Sequence, residues 1–190
     1  ATSFGGYTAL RTAVAHPDRI GRMMELGWPI GAPVGRVPMV MRLASVRLLG
    51  RLLTAIPPNE RAVRMIFRGI GLRQALAAGR VPREVLDTFL SLLRDTDTMR
   101  NELEAGPRLL TPIRGLNDRL LHSAELLGRI RTPVFFLWGV QDPFGGAAVA
   151  RAFVEQLPNA ELELMPGAGH AVWIDDPDHV AARIGSFLRA

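Results

Sequence analysis

The last third of the chain alternates apolar runs with helical stretches, and this alternation restricts the fold more than any other feature. The apolar run 134–138 is bounded by proline and glycine, as expected for a buried strand of a parallel sheet. The pattern then predicts a helix over 146–157, a second strand over 160–165 and a final helix that begins at Asp176-Pro177. Strand-helix-strand-helix is typical of a right-handed crossover unit, so the sequence predicts an α/β protein with a mostly parallel sheet.

Three regions follow from the change of pattern along the chain. Residues 1–29 predict a turn, a helix over 8–16 and a strand over 20–26. Residues 30–128 carry apolar residues at helical spacing and no convincing strand, so we expect a helical insertion there. Residues 129–190 return to the α/β pattern. Within the insertion, helices are predicted over 39–53, over 63–70, from Pro82 onward, over 99–103 and over 120–127.

Composition excludes several classes of site. The 190 residues are 48% hydrophobic, enough for one domain with a substantial core, and cysteine is absent, which excludes disulfides and thiolate metal ligands. The formal charge is +5 and every basic residue is arginine. These arginines are spread among acidic and apolar residues, so nucleic-acid binding is not expected. No apolar run reaches the ~18 residues of a membrane-spanning helix, and a cytoplasmic location is expected. The oligomeric state stays open.

Ser3, Asp142 and His170 stand at positions where a hydrolytic triad can assemble. Asp142 follows one predicted strand and His170 follows the next, while Ser3 precedes a helix. Because ligands gather beyond the carboxyl ends of parallel strands, all three should face one edge of the sheet. The order serine, acid, histidine is that of the α/β-hydrolases.

Each of the three residues also has a simpler interpretation. Ser3 could be a helix N-cap, Asp142 an Asx-turn residue before Pro143, and His170 a loop histidine without a role. Weaker candidates for the carboxylate cluster at a helix start, and the other histidines suit structural or solvent-facing positions. These alternatives are Asp175, Asp176 and Asp178 for the acid, and His16, His122 and His179 for the base.

The chain resembles the α/β-hydrolase superfamily, in its form with a helical cap. The resemblance rests on Thr2-Ser3-Phe4-Gly5-Gly6-Tyr7, Ala15-His16-Pro17-Asp18-Arg19-Ile20, Ile130-Arg131-Thr132-Pro133-Val134, Trp138-Gly139-Val140-Gln141-Asp142-Pro143 and Gly169-His170 with Asp176-Pro177. It implies a nucleophile elbow at Ser3, His170 as base and acid, Asp142 as the orienting carboxylate and the Phe4 amide as an oxyanion donor. Serine at the elbow argues against epoxide hydrolases and haloalkane dehalogenases, which use aspartate there.

The resemblance also implies what the chain lacks. It covers the C-terminal portion of the fold, beginning at the elbow, and the five N-terminal strands of the family are absent. The loop that normally supplies a second oxyanion donor is absent with them. Because these strands form the centre of the family's sheet, we expect a fragment that is poorly stable and weakly active or inactive alone.

The expected function is serine hydrolysis of a carboxylic ester or a related acyl bond in an apolar small molecule, without a metal or organic cofactor. Thioesterases, lactonases, perhydrolase-like enzymes and C–C bond hydrolases of the same fold use similar triads, so the bond that is cleaved stays open. Trp28, Phe144 and Trp173 lie near the predicted site and could line a pocket, or could be ordinary core residues. A non-catalytic binding or signalling protein on a hydrolase scaffold is the alternative. The basic residues Arg61, Arg64 and Arg68 share one helical face and raise a further alternative, binding to an anionic membrane or an acidic partner.

Overall fold

A three-stranded parallel sheet forms the centre of the computed structural model, which describes residues 1–46, 48, 57–111 and 115–189. Its strands are β1 (Met23–Leu26), β4 (Val134–Gly139) and β5 (Ala160–Met165), in the order β1-β4-β5. Val134 pairs with Met23 on one side and with Ala160 on the other. The mostly parallel α/β sheet predicted from the sequence is confirmed.

The central strand β4 shows why this sheet is covered on both faces. All six of its residues are buried, and alternate side chains enter different apolar clusters. Phe136 and Trp138 pack with Leu10 of the first helix, whereas Phe135 and Leu137 pack on the opposite face. A strand buried on both sides has no polar face, which explains its continuous apolar sequence.

Helices connect and cover the strands. The first, α1, begins at Ser3 and not at Thr8 as predicted, and the helix after β4 is shorter than the predicted 146–157. The helices are α1 (Ser3–Ala15), α2 (Met39–Ala44), α3 (Glu60–Gly69), α4 (Arg73–Ala77), α5 (Arg83–Asp95), α6 (Thr98–Leu109), α7 (Ala124–Gly128), α8 (Ala147–Val154), α9 (Val172–Asp175) and α10 (Pro177–Arg189), with a 3-10 turn at Asp118–Leu120.

The stretch between β1 and β4 is mainly helical where the structure describes it. Part of the helix predicted over 39–53 lies outside the described residues. The expectation of no strand is wrong at one place, where β2 (Leu110–Thr111) and β3 (Gly115–Leu116) form a short antiparallel pair. Two-residue strands have no sequence period of their own, so the pattern could not reveal them.

A separate apolar cluster joins this helical stretch to the C-terminal part of the chain. In this cluster, the apolar side chains of the helical stretch pack with Ala171, which precedes α9, and with Ile174, which lies within it; those of the helical stretch are Val63, Phe67 and Leu72. Within the described ranges, no helix is long and apolar enough to cross a membrane. The same ranges contain no group of three or more His, Asp or Glu side chains arranged to hold a metal ion.

Candidate active site

Ser3 occupies a strained backbone position at the start of α1. Its φ is +50°, and among the described residues it is the one non-glycine with a positive φ. Such a conformation is costly for an L-residue and persists where neighbouring structure enforces it. Here the Ile30 N–H donates to the Ser3 carbonyl at 3.0 Å, and the Thr2 hydroxyl donates to the Leu26 carbonyl at 2.6 Å.

Phe4 lies in the first turn of α1, where the backbone N–H groups have no acceptor within the helix. The next hydrogen bond along the helix runs from the Gly6 N–H to the Thr2 carbonyl at 3.1 Å. The Phe4 side chain is 54% exposed and stacks on Tyr7. The amide next to Ser3 therefore belongs to a helix N-terminus, where partial positive charge favours an oxyanion.

Asp142 and His170 are in direct contact. The Nδ1 atom of His170 lies 2.8 Å from Oδ2 of Asp142, and both side chains are almost fully buried. Asp142 Oδ2 also accepts the Trp28 N–H at 3.1 Å, and Oδ1 accepts the Phe144 N–H at 3.0 Å. Because three donors converge on this carboxylate, its orientation toward the imidazole is fixed.

The segment that follows β1 links Ser3 to this acid–histidine pair. Its Trp28 N–H donates to Asp142, and two residues later the Ile30 N–H donates to the carbonyl of Ser3. Ser3 and Asp142 therefore flank the same short segment at one edge of the sheet. The hydrogen bonds of the described residues include none between Ser3 and His170.

Two of the three proposed pocket aromatics border His170. The ring of Phe144 meets the imidazole edge-on at a centroid distance of 4.8 Å, and Trp28 stacks on Phe144 at 5.2 Å. The Trp28 indole N–H donates to the Pro33 carbonyl, which fixes the ring. Trp173 is half-buried and packs against the apolar clusters of α9 and the helical stretch.

Three buried ionisable residues lie near these elements. Sequence analysis does not select Glu25, and it makes Asp175 and His122 only weaker candidates for the acid and the base. Burial raises the pKa of Glu25 in β1 to about 8, and the nearby N-terminal ammonium opposes this. Burial raises the pKa of Asp175, against a hydrogen bond from the Gly169 N–H and the charge of Arg80. Burial, with Arg11 as a smaller cause, lowers the pKa of His122 to about 4. A lone glutamate within an apolar strand was the signal available for Glu25.

The remaining histidines lie apart from the acid–histidine pair. His122 stacks on Tyr7 at a centroid distance of 5.0 Å, His16 is exposed beyond the end of α1, and His179 contacts Glu163. Of the other aspartates, Asp176 caps α10 by accepting the His179 N–H.

Comparison with known proteins identifies the family. The profile of the alpha/beta hydrolase family matches residues 1–183. The chain belongs to this family. The 2-hydroxy-6-oxononadienedioate/2-hydroxy-6-oxononatrienedioate hydrolase of Cupriavidus pinatubonensis is 27% identical over 176 residues, which are 90% of this chain and 55% of that protein. Hydrolase 1 of the same name from Dechloromonas aromatica is 26% identical over 190 residues, which are 98% of this chain and 60% of that protein.

Solved structures give the same fold. The 2-hydroxy-6-oxo-6-phenylhexa-2,4-dienoate hydrolase of Rhodococcus sp. strain RHA1 superposes with a TM-score of 0.70 at 20% identity, covering 100% of this chain and 62% of that one. The α/β hydrolase MGS-M2 from a deep-sea metagenome library gives 0.72 at 20% identity, with 100% and 63% coverage. The chain thus spans a little over half the length of the relatives it matches, consistent with a C-terminal portion of the fold.

Proposed function

We propose that this chain carries the catalytic residues of a serine hydrolase that cleaves a carboxylic ester or a related acyl bond. The observation that carries the proposal is the buried Asp142–His170 pair, whose Oδ2 and Nδ1 atoms lie 2.8 Å apart. The strained Ser3 is hydrogen-bonded to the same short segment, 28–30, that donates to Asp142. Ser3 is the nucleophile, His170 the general base and acid, Asp142 the orienting carboxylate, and the Phe4 amide one oxyanion donor.

The hydrogen bonds of Asp142 set the chemistry of His170. A carboxylate oxygen only accepts, so Nδ1 of His170 must donate to it, and the lone pair is left on Nε2. Nε2 takes the hydroxyl proton of Ser3 as the oxygen attacks the substrate carbonyl. The developing oxyanion accepts the Phe4 N–H. The imidazolium then protonates the leaving group, and a water activated by the same imidazole hydrolyses the acyl-enzyme. This sequence requires no metal or organic cofactor.

The substrate of this proposal is an apolar small molecule. Residues 1–29 and 129–190 act as the hydrolase core, and residues 30–128 act as a cap above the site. Trp28 and Phe144 stand next to His170 and supply an apolar wall. Trp173 is assigned to the cap side of the pocket through its packing with the apolar residues of the helical stretch.

The names of the relatives favour a second candidate reaction. Their stated substrates are 2-hydroxy-6-oxo dioates, which contain a ketone and carboxylates and no ester. Hydrolysis of such a compound breaks a carbon–carbon bond beside the ketone. The same serine, histidine and aspartate could serve that reaction, because attack on a carbonyl is common to both.

Labelling with a fluorophosphonate tests the proposal. The wild-type chain should gain the mass of one adduct and hydrolyse p-nitrophenyl butyrate, and Ser3→Ala should lose both. Ser91→Ala, which changes an exposed serine of α5, is the matched control and should behave as wild type. Turnover of a 2-hydroxy-6-oxo dienoate in excess of ester turnover would select the second candidate. A folded chain without adduct or turnover would instead favour the non-catalytic binding protein.

A further inference from the structure

The turn between α3 and α4 touches the loops that carry both Asp142 and His170. The carbonyl of Ile70 accepts the backbone N–H of His170 at 2.9 Å. Gly71 follows with φ +96°, a left-handed conformation that favours glycine. This turn, residues 70–72, belongs to the helical stretch, yet its backbone is bonded directly to the histidine of the candidate site.

The approach at Gly71 is too close for any side chain. A Cβ atom there would lie 2.9 Å from Cα of Gly169, 3.0 Å from the carbonyl oxygen of Gln141 and 3.3 Å from Cδ of Pro143. A Cβ atom on Gly169 would in turn meet the Gly71 backbone at 2.6 Å. The turn therefore packs backbone against backbone between the loop before Asp142 and the loop before His170.

Further contacts fix the position of the turn. Leu72 is fully buried in the apolar cluster that also contains Ala171, the residue after His170. A guanidinium N–H of Arg80 donates to the carbonyl of Asp175 at 3.1 Å. The Asp175 carboxylate accepts the Gly169 N–H at 2.8 Å. The helical stretch thus contacts the chain after His170 through Leu72, and it reaches Gly169, before His170, indirectly through Arg80 and Asp175.

We propose that the turn 70–72 is a positioning element that holds the loops of Asp142 and His170 in the relative position needed for proton transfer. This inference rests on the proposed function, since it assigns the turn a role in the same reaction. Displacement of reacting groups by about 1 Å can cost roughly a hundredfold in rate. Because a Cβ at Gly71 would press on Gly169 and Gln141, in the loops that carry His170 and Asp142, its disturbance should lower kcat and leave KM nearly unchanged.

Two glycines of the helical stretch make a matched test. Gly71 and Gly79 both follow a helix and both have positive φ, +96° and +66°, but a Cβ on Gly79 would meet nothing within 4 Å. Both alanine variants place a side chain on a backbone with positive φ, but only Gly71→Ala also pushes on the loops that carry Asp142 and His170. We expect Gly71→Ala to reduce kcat for p-nitrophenyl butyrate roughly tenfold to a hundredfold with KM within about twofold. Gly79→Ala should stay within about twofold of wild type in both constants.

A second pair of variants covers the case in which Gly71→Ala does not fold. Arg80→Gln removes the guanidinium that donates to Asp175, whereas Arg83→Gln changes an arginine whose ion-pair partner, Asp87, is on the surface of α5. Arg80→Gln should lower kcat about threefold to tenfold at unchanged KM, and Arg83→Gln should not. Folded Gly71→Ala or Arg80→Gln chains with wild-type kcat would overturn the proposal.

A spectroscopic readout separates this inference from the proposed function. In protein labelled with ¹⁵N-histidine, the His170 Nδ1 proton reports its bond to Asp142 whether or not the chain is catalytic. The resonance should shift or broaden in Gly71→Ala and match wild type in Gly79→Ala. Absence of Ser3 labelling in wild type, with this shift present, would remove the hydrolase and keep the positioning role. Normal labelling of Ser3 in wild type, with a His170 resonance that does not move in Gly71→Ala, would keep the hydrolase and remove the positioning role.

Discussion

Glu25→Gln should abolish a pH-dependent loss of stability that the buried carboxyl imposes on the fold. The Glu25 side chain is fully buried in β1, and neither carboxyl oxygen has a hydrogen-bond partner among the described residues. Burial disfavours the charged form and raises the pKa from 4.5 to about 8. The native state therefore keeps this proton at a pH where the unfolded chain has released it.

The sign and size of the effect follow from linkage. Between pH 4.5 and about 8 the native state binds more protons than the unfolded state, so raising the pH lowers the free energy of unfolding. Each pKa unit corresponds to about 1.4 kcal/mol, so the loss reaches ~3 kcal/mol at pH 7 and ~4 kcal/mol at pH 8, and it levels off at about 5 kcal/mol at higher pH. Glutamine is isosteric and cannot ionise, so the variant lacks this slope.

Urea unfolding followed by circular dichroism at pH 5, 6, 7 and 8 measures the difference. The free energy of unfolding of Glu25→Gln should exceed that of wild type by an amount that grows by ~3.5 kcal/mol from pH 5 to pH 8. Glu84→Gln, which changes an exposed glutamate in the first turn of α5, is the control and should follow wild type. A difference that stays constant over this range would refute the reasoning, because it would mean that the native carboxyl ionises as it does in the unfolded chain.

His122 explains why the variant must be compared with wild type at each pH. Its pKa is lowered to about 4 by burial, so its contribution to stability is present above pH 6.5 and is lost as the pH falls toward 4. That slope opposes the slope of Glu25 below pH 6.5. In wild type the two partly cancel there, whereas from pH 6.5 to 8 the effect of Glu25 is not opposed by His122. The raised pKa of Asp175 acts in the same direction as that of Glu25.

Two further pairs of substitutions test neighbouring contacts. Asp175→Ala removes the acceptor of the Gly169 N–H, so it should lower kcat and cost roughly 1–3 kcal/mol of stability, whereas Asp176→Ala removes a helix cap, costs about 1 kcal/mol and leaves kcat unchanged. Thermal melts measure the stability of both variants, and p-nitrophenyl butyrate turnover measures kcat. Equal kcat in the two variants would count against a role of the Asp175 carboxylate in holding the loop before His170. Gly6→Ala should destabilise the chain because its Cβ would overlap the buried Glu25 carboxyl, whereas Gly5→Ala meets open space and should be neutral or stabilising by up to ~1 kcal/mol. Urea unfolding midpoints measure the difference. Similar midpoints in the two variants would contradict the close contact of Gly6 with Glu25.

The strands of the sheet were predictable because their signal is local. The apolar run 134–138 and the alternating run 160–165 correspond to β4 and β5 nearly residue for residue. The start of α1 was misplaced by five residues, because Gly5 and Gly6 weigh against a helix by propensity. Contacts of Ser3 and Gly6 with the β1 region begin the helix early, and such tertiary contacts leave no periodic pattern.

The residues of the candidate site were predictable to different degrees. Asp142 and His170 each follow a strand, and parallel strands end at one edge, so their 2.8 Å contact agrees with expectation. Ile70 and Gly71 belong to a stretch whose sequence predicts only amphipathic helices. The contact of Ile70 with His170, and that of Gly71 with Gly169, depend on how that stretch lies across the sheet edge, which no local signal reports.

The pair Asp175-Asp176 shows where sequence reasoning stops even when the local structure is predicted well. Both aspartates precede Pro177 at a helix start, and both are suitable N-caps by type. Only the rotation of the short helix α9 distinguishes them, since it turns Asp175 inward to the Gly169 N–H and leaves Asp176 exposed to cap α10. That rotation is set by Val172 and Ile174, which pack against two different apolar clusters. A buried carboxylate beside the histidine loop is therefore a product of tertiary packing, although its neighbour in the chain is an ordinary cap.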